Sequence, residues 1–458
     1  MKKWELAGIL ATVFLLVSCQ SAQQPELFSE ITVVAGATVI DGISDAPIED
    51  AIIVIEGDTI QSIGKRGSFE VPANARTVNA TGKTIMPGMF NLHGHVGMTE
   101  GMERTTELYT RERVQRDANA YLYYGITHAL SLGLDREPMV GFLADQRAGQ
   151  AGGARLYSAG VGFAAKDGWR PAGVVAINRP TTPEEGRALV EKELAKSPDV
   201  LKIWVDDAQG ELPKLAPEIY AAIIEEAHVH NLKVFAHMFY LEDAKELMRR
   251  GVDGLAHSVR DQEVDEEYLT LAKEKGITQV ATLTGHSANV VYAEGATFLD
   301  EPGLQVLFPS SVLETLGSKE YQERLANHPD SARRRQVFET ATRNTGKVAA
   351  AGIPIAVGTD SGGPGRFQGL WEHREMELLV KAGLTPMQAI QAATVNGARF
   401  LGVDDKYGTI APGKVADFIV LDADPLSDIT NSRKIDAVWM NGKLVNRSLL
   451  AQATTATN

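Results

Sequence analysis

Cysteine is almost missing from this chain: Cys19 is the single one among 458 residues. A lone cysteine excludes disulfides within one subunit. Long apolar runs are equally scarce. Residues 6–17 form one, but a mature membrane-spanning helix needs ~20 residues. Positive charge is in deficit, with 45 Lys and Arg against 59 Asp and Glu and a net charge of −14. That balance argues against nucleic acid and anionic membrane surfaces as partners. Internal repeats and low-complexity tracts are also lacking. What the chain does have is bulk. Hydrophobic residues make up 44% of it, enough for one large α/β domain plus a smaller one.

Residues 1–18 read as a signal segment, with Lys2 and Lys3 ahead of the apolar run. Leu16-Val17-Ser18-Cys19 resembles the lipobox of bacterial lipoproteins. The resemblance implies cleavage before Cys19 and a lipid on its sulfur. The mature chain would then be membrane-anchored and periplasm-facing in a bacterial cell envelope. Gln20, where an aspartate would signal inner-membrane retention, points to the outer membrane. Residues 19–29 are polar and read as a tether.

Short β-branched runs broken by Gly and Asp fill residues 30–83, and the same texture returns over 407–447. Two β-rich ends around a different middle suggest one small β-sandwich built from both. Residues 448–458 read as a flexible tail. The middle, 84–406, alternates apolar strands with amphipathic helices, the pattern of a parallel sheet. Eight strands can be counted up to Asp360, as in a (β/α)8 TIM barrel. Residues 282–331 interrupt the alternation and read as a lid or substrate-shaping insertion.

The first barrel strand ends in His93-Gly94-His95. Residues two apart on a strand share a face, so both imidazoles project together, half of a divalent-metal site. Other strands also end in potential ligands: His237 the fifth, His257 the sixth, Asp360 the eighth. Lys202 lies inside the fourth. In such barrels the C-terminal strand ends form the active-site face.

The ordered set resembles the amidohydrolase superfamily, closest to its Xaa-Pro dipeptidase and imidazolonepropionase-related branch. It comprises Met86-Pro87-Gly88 with His93-Gly94-His95, Leu201-Lys202-Ile203, Ala236-His237, Ala256-His257-Ser258 and Gly358-Thr359-Asp360-Ser361-Gly362. Ala382-Gly383-Leu384-Thr385-Pro386, Ala392-Ala393-Thr394 and residues 408–421 complete it. The resemblance implies two divalent metal ions, with zinc the default for a His-rich site. His93, His95 and Asp360 would hold the first, and His237 and His257 the second. Lys202, carboxylated by carbon dioxide, would bridge them as a carbamate. A hydroxide shared by the metals would attack the amide carbon of a dipeptide (Xaa-Pro or Xaa-Arg type) or an N-acyl amino acid. Asp360 would move the proton to the leaving nitrogen.

Weaker candidates lie nearby. Tyr240 is placed to hydrogen-bond the scissile carbonyl. Arg260 and Arg170 are candidates for a substrate carboxylate, and His373 could face substrate. A homo-oligomer is open. Two alternatives stand: a cyclic-amide or lactone hydrolase or heterocycle deaminase, and a non-catalytic metal-binding lipoprotein. Deaminases of this kind usually carry Glu three residues after the fifth-strand His, where this chain has Tyr240. A mere binder need not keep Asp360.

Overall fold

Eight short parallel strands run through the middle of the computed structural model, which describes residues 31–170 and 177–455. They are Met89–Gly94, Ile126–Ser131, Arg155–Ser158, Val200–Val205, Lys233–Met238, Gly254–Ala256, Thr278–Val280 and Ile355–Ala356. The first three pair in order, and so do the last five. Two seams close the ring. Phe163 bridges to Ile203, its N–H donating to Lys202 O at 2.9 Å. On the other side Leu92 N–H donates to Val357 O at 2.9 Å, and Thr359 N–H to His93 O at 3.0 Å. The expected (β/α)8 barrel is therefore present.

Period-two alternation decides what points inward. Leu201, Ile203 and Val205 of the fourth strand pack outward against the helices. Val200 joins Leu92, Leu130, Phe235, Val280 and Ala356 in the barrel's interior. Lys202 shares the face of Val200 and is buried completely. Helices between the strands start where the sequence provides caps. Thr110, Thr182 and Asp265 each accept a backbone N–H from the first turn, satisfying a donor that the helix leaves free.

The two chain ends share one mixed sheet. Phe418–Leu421, from the C-terminal end, pairs antiparallel with Thr84–Pro87 from the N-terminal end. Ile31–Val39 branches the sheet, pairing Arg76–Asn79 with its first half and Thr84–Pro87 with its last residues. Val34, Ile53, Ile85, Ile410, Phe418 and Trp439 form its apolar core. Thr84–Pro87 thus belongs to this sheet and not to the barrel. The chain changes sheets at Gly88, whose N–H donates to Asp417 O at 2.9 Å while Met89 N–H donates to Gly125 O at 3.0 Å.

One further expectation is corrected. The tail is helical over Arg447–Thr455 and docks on the first barrel helix, with Ala451 and Thr454 buried and Arg447 Nε donating to Tyr123 O at 2.9 Å. The excursion after the seventh strand, read from the sequence as a lid or substrate-shaping insertion, has secondary structure of its own. It folds into helices Leu283–Ala293, Pro302–Leu307, Ser310–Gly317 and Lys319–Ala326. Leu304, Leu307, Leu313 and Leu316 pack there with Tyr124, Phe367 and Trp371. The signal segment, the tether and Cys19 lie outside the described residues. Among the described residues no helix is long and apolar enough to cross a membrane.

Candidate active site

The His-Gly-His stretch works because of its central glycine. A Cβ on Gly94 would lie 2.2 Å from Tyr121 Oη and 3.0 Å from Asn91 Nδ2. Asn91 accepts His93 N–H at 2.9 Å and donates through Nδ2 to Glu372 Oε1 at 2.7 Å. Thr359 Oγ1 and Ser361 Oγ, which flank Asp360, donate to the same oxygen at 2.6 and 2.9 Å. One buried carboxylate therefore ties the first strand to the loop after the eighth. Burial pushes the Glu372 carboxyl up to about 7 despite these donors.

At the C-terminal mouth the structure brings the candidate ligands together. The ring centroids of His93 and His95 are 5.5 Å apart, those of His93 and His257 4.8 Å, and those of His257 and His237 4.5 Å. Asp360 Oδ1 is 3.0 Å from His95 Nε2 and 3.8 Å from His93 Nε2. The ligand atoms of His93, His95 and Asp360 all lie within 4.8 Å of one another. Two of the groups are held in strained backbone: φ is +90° at His257 and +56° at Asp360. Such conformations cost non-glycine residues ~1–3 kcal/mol each and concentrate at functional sites.

Burial sets the protonation states. It lowers His95 and His237 to about 4, and holds His93 and His257 well below the usual histidine range. All four are neutral at pH 7, with lone pairs for a cation. Burial alone would raise Asp360. Arg366, His95 and His93 outweigh it and keep Asp360 well below the ordinary carboxylate range. Burial lowers Lys202 to about 7. Its Nζ is buried without a hydrogen-bond partner, as are His95 Nδ1 and His257 Nδ1. Neutral imidazoles, a carboxylate and orphaned buried nitrogens are what a divalent ion and its ligands require. The residues fit a metal centre.

The sequence alone did not reveal several neighbours. Asp206, just past the fourth strand, accepts His237 Nε2–H at 2.7 Å and leaves Nδ1 as the free lone pair. Trp169 stacks on His237 at 4.7 Å. His286, on the first helix of the excursion, lies 5.0 Å from His257, with its Nε2 buried and unpartnered. Its place six residues beyond Val280, the seventh strand's last ladder residue, was the available signal. Arg366 pairs with Asp360. A cavity of about 540 Å³ opens over the ligands, walled by Trp169, Trp204, Tyr292 and Tyr321 and by Arg104 and Arg366.

The weaker candidates fall elsewhere. His373 is fully buried, with Nδ1 on Ser432 Oγ at 3.0 Å and Nε2 on Tyr124 O at 2.9 Å, so it faces no substrate. Tyr240 turns its hydroxyl away to donate to Asp207 at 3.0 Å. Arg260 is buried beside the ligands, but donates to Met238 O at 2.6 Å and lies over the Phe239 ring. Arg170 is exposed. A helix turns residues two apart in different directions, and the His228/His230 pair obeys that rule: His228 meets Asp253 and His230 meets Glu191.

Comparison with known proteins agrees with this geometry. An ochratoxinase from Aspergillus niger is 26% identical over 461 residues, 91% of this chain and 87% of its own. An imidazolonepropionase from Christiangramia forsetii is 32% identical over 103 residues, 22% of this chain and 25% of its own. A solved Xaa-Pro dipeptidase with methionine in its active site shares the fold, with a TM-score of 0.74 at 23% identity, covering 91% of this chain and 99% of that one. The sequence profile of the amidohydrolase family matches residues 84–445, and the chain belongs to that family of hydrolases acting on carbon–nitrogen bonds.

Proposed function

We propose that this hydrolase cleaves the amide bond of a small substrate, a dipeptide of Xaa-Pro or Xaa-Arg type or an N-acyl amino acid. One observation carries the reading: four neutral imidazoles and Asp360 gather at the barrel mouth with Lys202 Nζ buried among the barrel strands without a hydrogen-bond partner. His93, His95 and Asp360 would hold one divalent ion and His237 and His257 a second. Lys202, as a carbamate, would supply the anionic bridge that a free ammonium cannot. When bound, the ions supply Lewis acidity and activate water at neutral pH.

The chain's own groups do the rest. Asp206 fixes the His237 ring and its tautomer. Asp360 takes a proton from the attacking water and returns it to the leaving nitrogen. Trp169 and Trp204 exclude bulk water and cover the apolar part of the substrate, since both line the cavity.

The test is metal-replete protein assayed on Xaa-Pro, Xaa-Arg and N-acetyl amino acid panels beside Lys202→Ala and Asp360→Asn. Wild type should cleave at least one class, and each variant should lose about 10²–10⁴-fold in kcat. Full metal content and activity in Lys202→Ala would sink the bridge. Deamination of heterocycles without amide cleavage would replace the reading. The N-terminal motif supports a companion proposal, a lipid on Cys19. Mass spectrometry of the native N-terminus showing an unmodified start beyond Cys19 would refute it.

A further inference from the structure

Arg104 stands on the cavity wall without a salt-bridge partner. It closes the short hairpin Thr99–Glu100 and Glu103–Arg104, in which its backbone pairs with Thr99. Arg116 holds that hairpin from behind by donating to Thr99 O at 2.7 Å. The position of Arg104 is therefore built, yet its Nε and Nη2 are buried without a hydrogen-bond partner. A guanidinium carries five donors and no acceptor, and donors left buried without a partner are unfavourable, so these two call for an acceptor. Among the described residues lining the cavity, Asp360 is the one carboxylate, and Arg366 already pairs with it. The two arginines flank Gly363, where a Cβ would lie 3.6 Å from Arg366 Cδ and 3.9 Å from Arg104 Nη1.

Arg260 and Arg170 do not compete for this role, the first being committed to backbone carbonyls and the second exposed. Arg104 lies on the side of the ligands where His95 and Asp360 sit, close enough to influence the charge of both. Asp360 serves the leaving nitrogen in the reading above. The anion that Arg104 lacks therefore belongs to the leaving half of the substrate.

We propose that Arg104, with Arg366 beside it, clamps the free carboxylate of the leaving amino acid and restricts the enzyme to amides carrying an anion next to the scissile nitrogen. A planar fork meeting a carboxylate is the geometry at which arginine excels. The proposal rests on the amide-hydrolase reading and names its substrate class.

The experiment compares acid and amide partners: glycyl-L-proline with glycyl-L-prolinamide, and N-acetyl-L-phenylalanine with its carboxamide. Calorimetric binding of L-proline and L-phenylalanine, against their amides, runs beside the kinetics on metal-replete protein. Wild type should prefer the acids. Arg104→Gln should raise KM for the acids by about 100-fold with a much smaller change in kcat, bringing them to the level of the amides. Arg104→Lys should restore part of the preference, and metal content should be unchanged in both variants. Equal handling of acid and amide by wild type, or a preference surviving in Arg104→Gln, overturns the clamp while amide hydrolysis stands. If no amide is cleaved, the binding arm decides alone. Loss of acid-over-amide discrimination on Arg104→Gln upholds the clamp, and its absence in wild type overturns it.

Discussion

Gly94 shows how little room surrounds the ligands. A methyl group there would overlap Tyr121 Oη, which lies 2.8 Å from Ser361 Oγ within the network centred on Glu372. Gly94→Ala should therefore destabilise the fold by ~1–3 kcal/mol, the usual range for overpacking. Tyr121→Phe in the same chain should recover part of it by removing the clashing oxygen. Denaturant unfolding of the two variants measures this, and equal stability of Gly94→Ala and wild type would contradict the tight packing. The candidate ligands were legible as a set because strand periodicity is local: His93, His95, His237, His257 and Asp360 sit at or just past strand ends, while Lys202, inside its strand, was singled out by the family resemblance. Asp206, Glu372 and Arg104 were not. Asp206 and Glu372 act through partners that only the closed barrel supplies, and only the folded hairpin sets Arg104 on the cavity wall; nothing in their neighbouring residues marks this. The weaker candidates failed for the same reason. His373 and Tyr240 were placed by distance along the chain, but their nitrogen and hydroxyl groups found Tyr124 O, Ser432 and Asp207 instead.

The element that most directly shapes the cavity is the helix Leu283–Ala293. It begins at Thr282, in left-handed backbone with φ +57°. Its first turn lies over the ligands, so that a Cβ on Gly285 would be 3.2 Å from Asp360 Cβ. Glu375 holds its start, accepting Leu283 N–H at 2.8 Å and Thr284 N–H and Oγ1–H both at 2.7 Å. Burial raises this carboxyl to about 7 in spite of those donors. The folded chain thus keeps a proton that the unfolded chain releases near pH 4.5. Stability from this group is present below that pH and is lost as pH rises towards 7. Gln at this position does not ionise but loses acceptors. Glu375→Gln should be ~1–3 kcal/mol less stable at pH 5, with a shallower decline in melting temperature between pH 5 and 7.5. Parallel declines in both proteins would refute the assignment. The sequence showed that 282–331 interrupts the alternation, but not that it is helical. Its apolar residues face Tyr124, Phe367 and Trp371, distant positions that give the segment its core.

At the scale of the whole molecule, the barrel and the small sheet are joined at Gly88 and at Arg155, whose guanidinium pairs with Asp417. The architecture was legible because it repeats: eight similar strand texts in the middle and one β texture at both ends. Its boundaries were less so. Thr84–Pro87 went to the small sheet because Phe418–Leu421 offered it a partner more than 300 positions away. Closure of the barrel brings the six candidate ligands to one mouth. Strands one and eight deliver His93, His95 and Asp360, and strands four to six deliver Lys202, His237 and His257. If these six groups form a single two-ion centre, amide hydrolysis must follow ion content. The decisive measurement is titration of metal-stripped protein with Zn²⁺ while initial rates of amide cleavage and bound zinc are followed together. Activity should rise with bound zinc and level off at about two ions per chain, the number such binuclear sites hold. Full activity in the stripped protein, or saturation with zinc without amide cleavage, would contradict it.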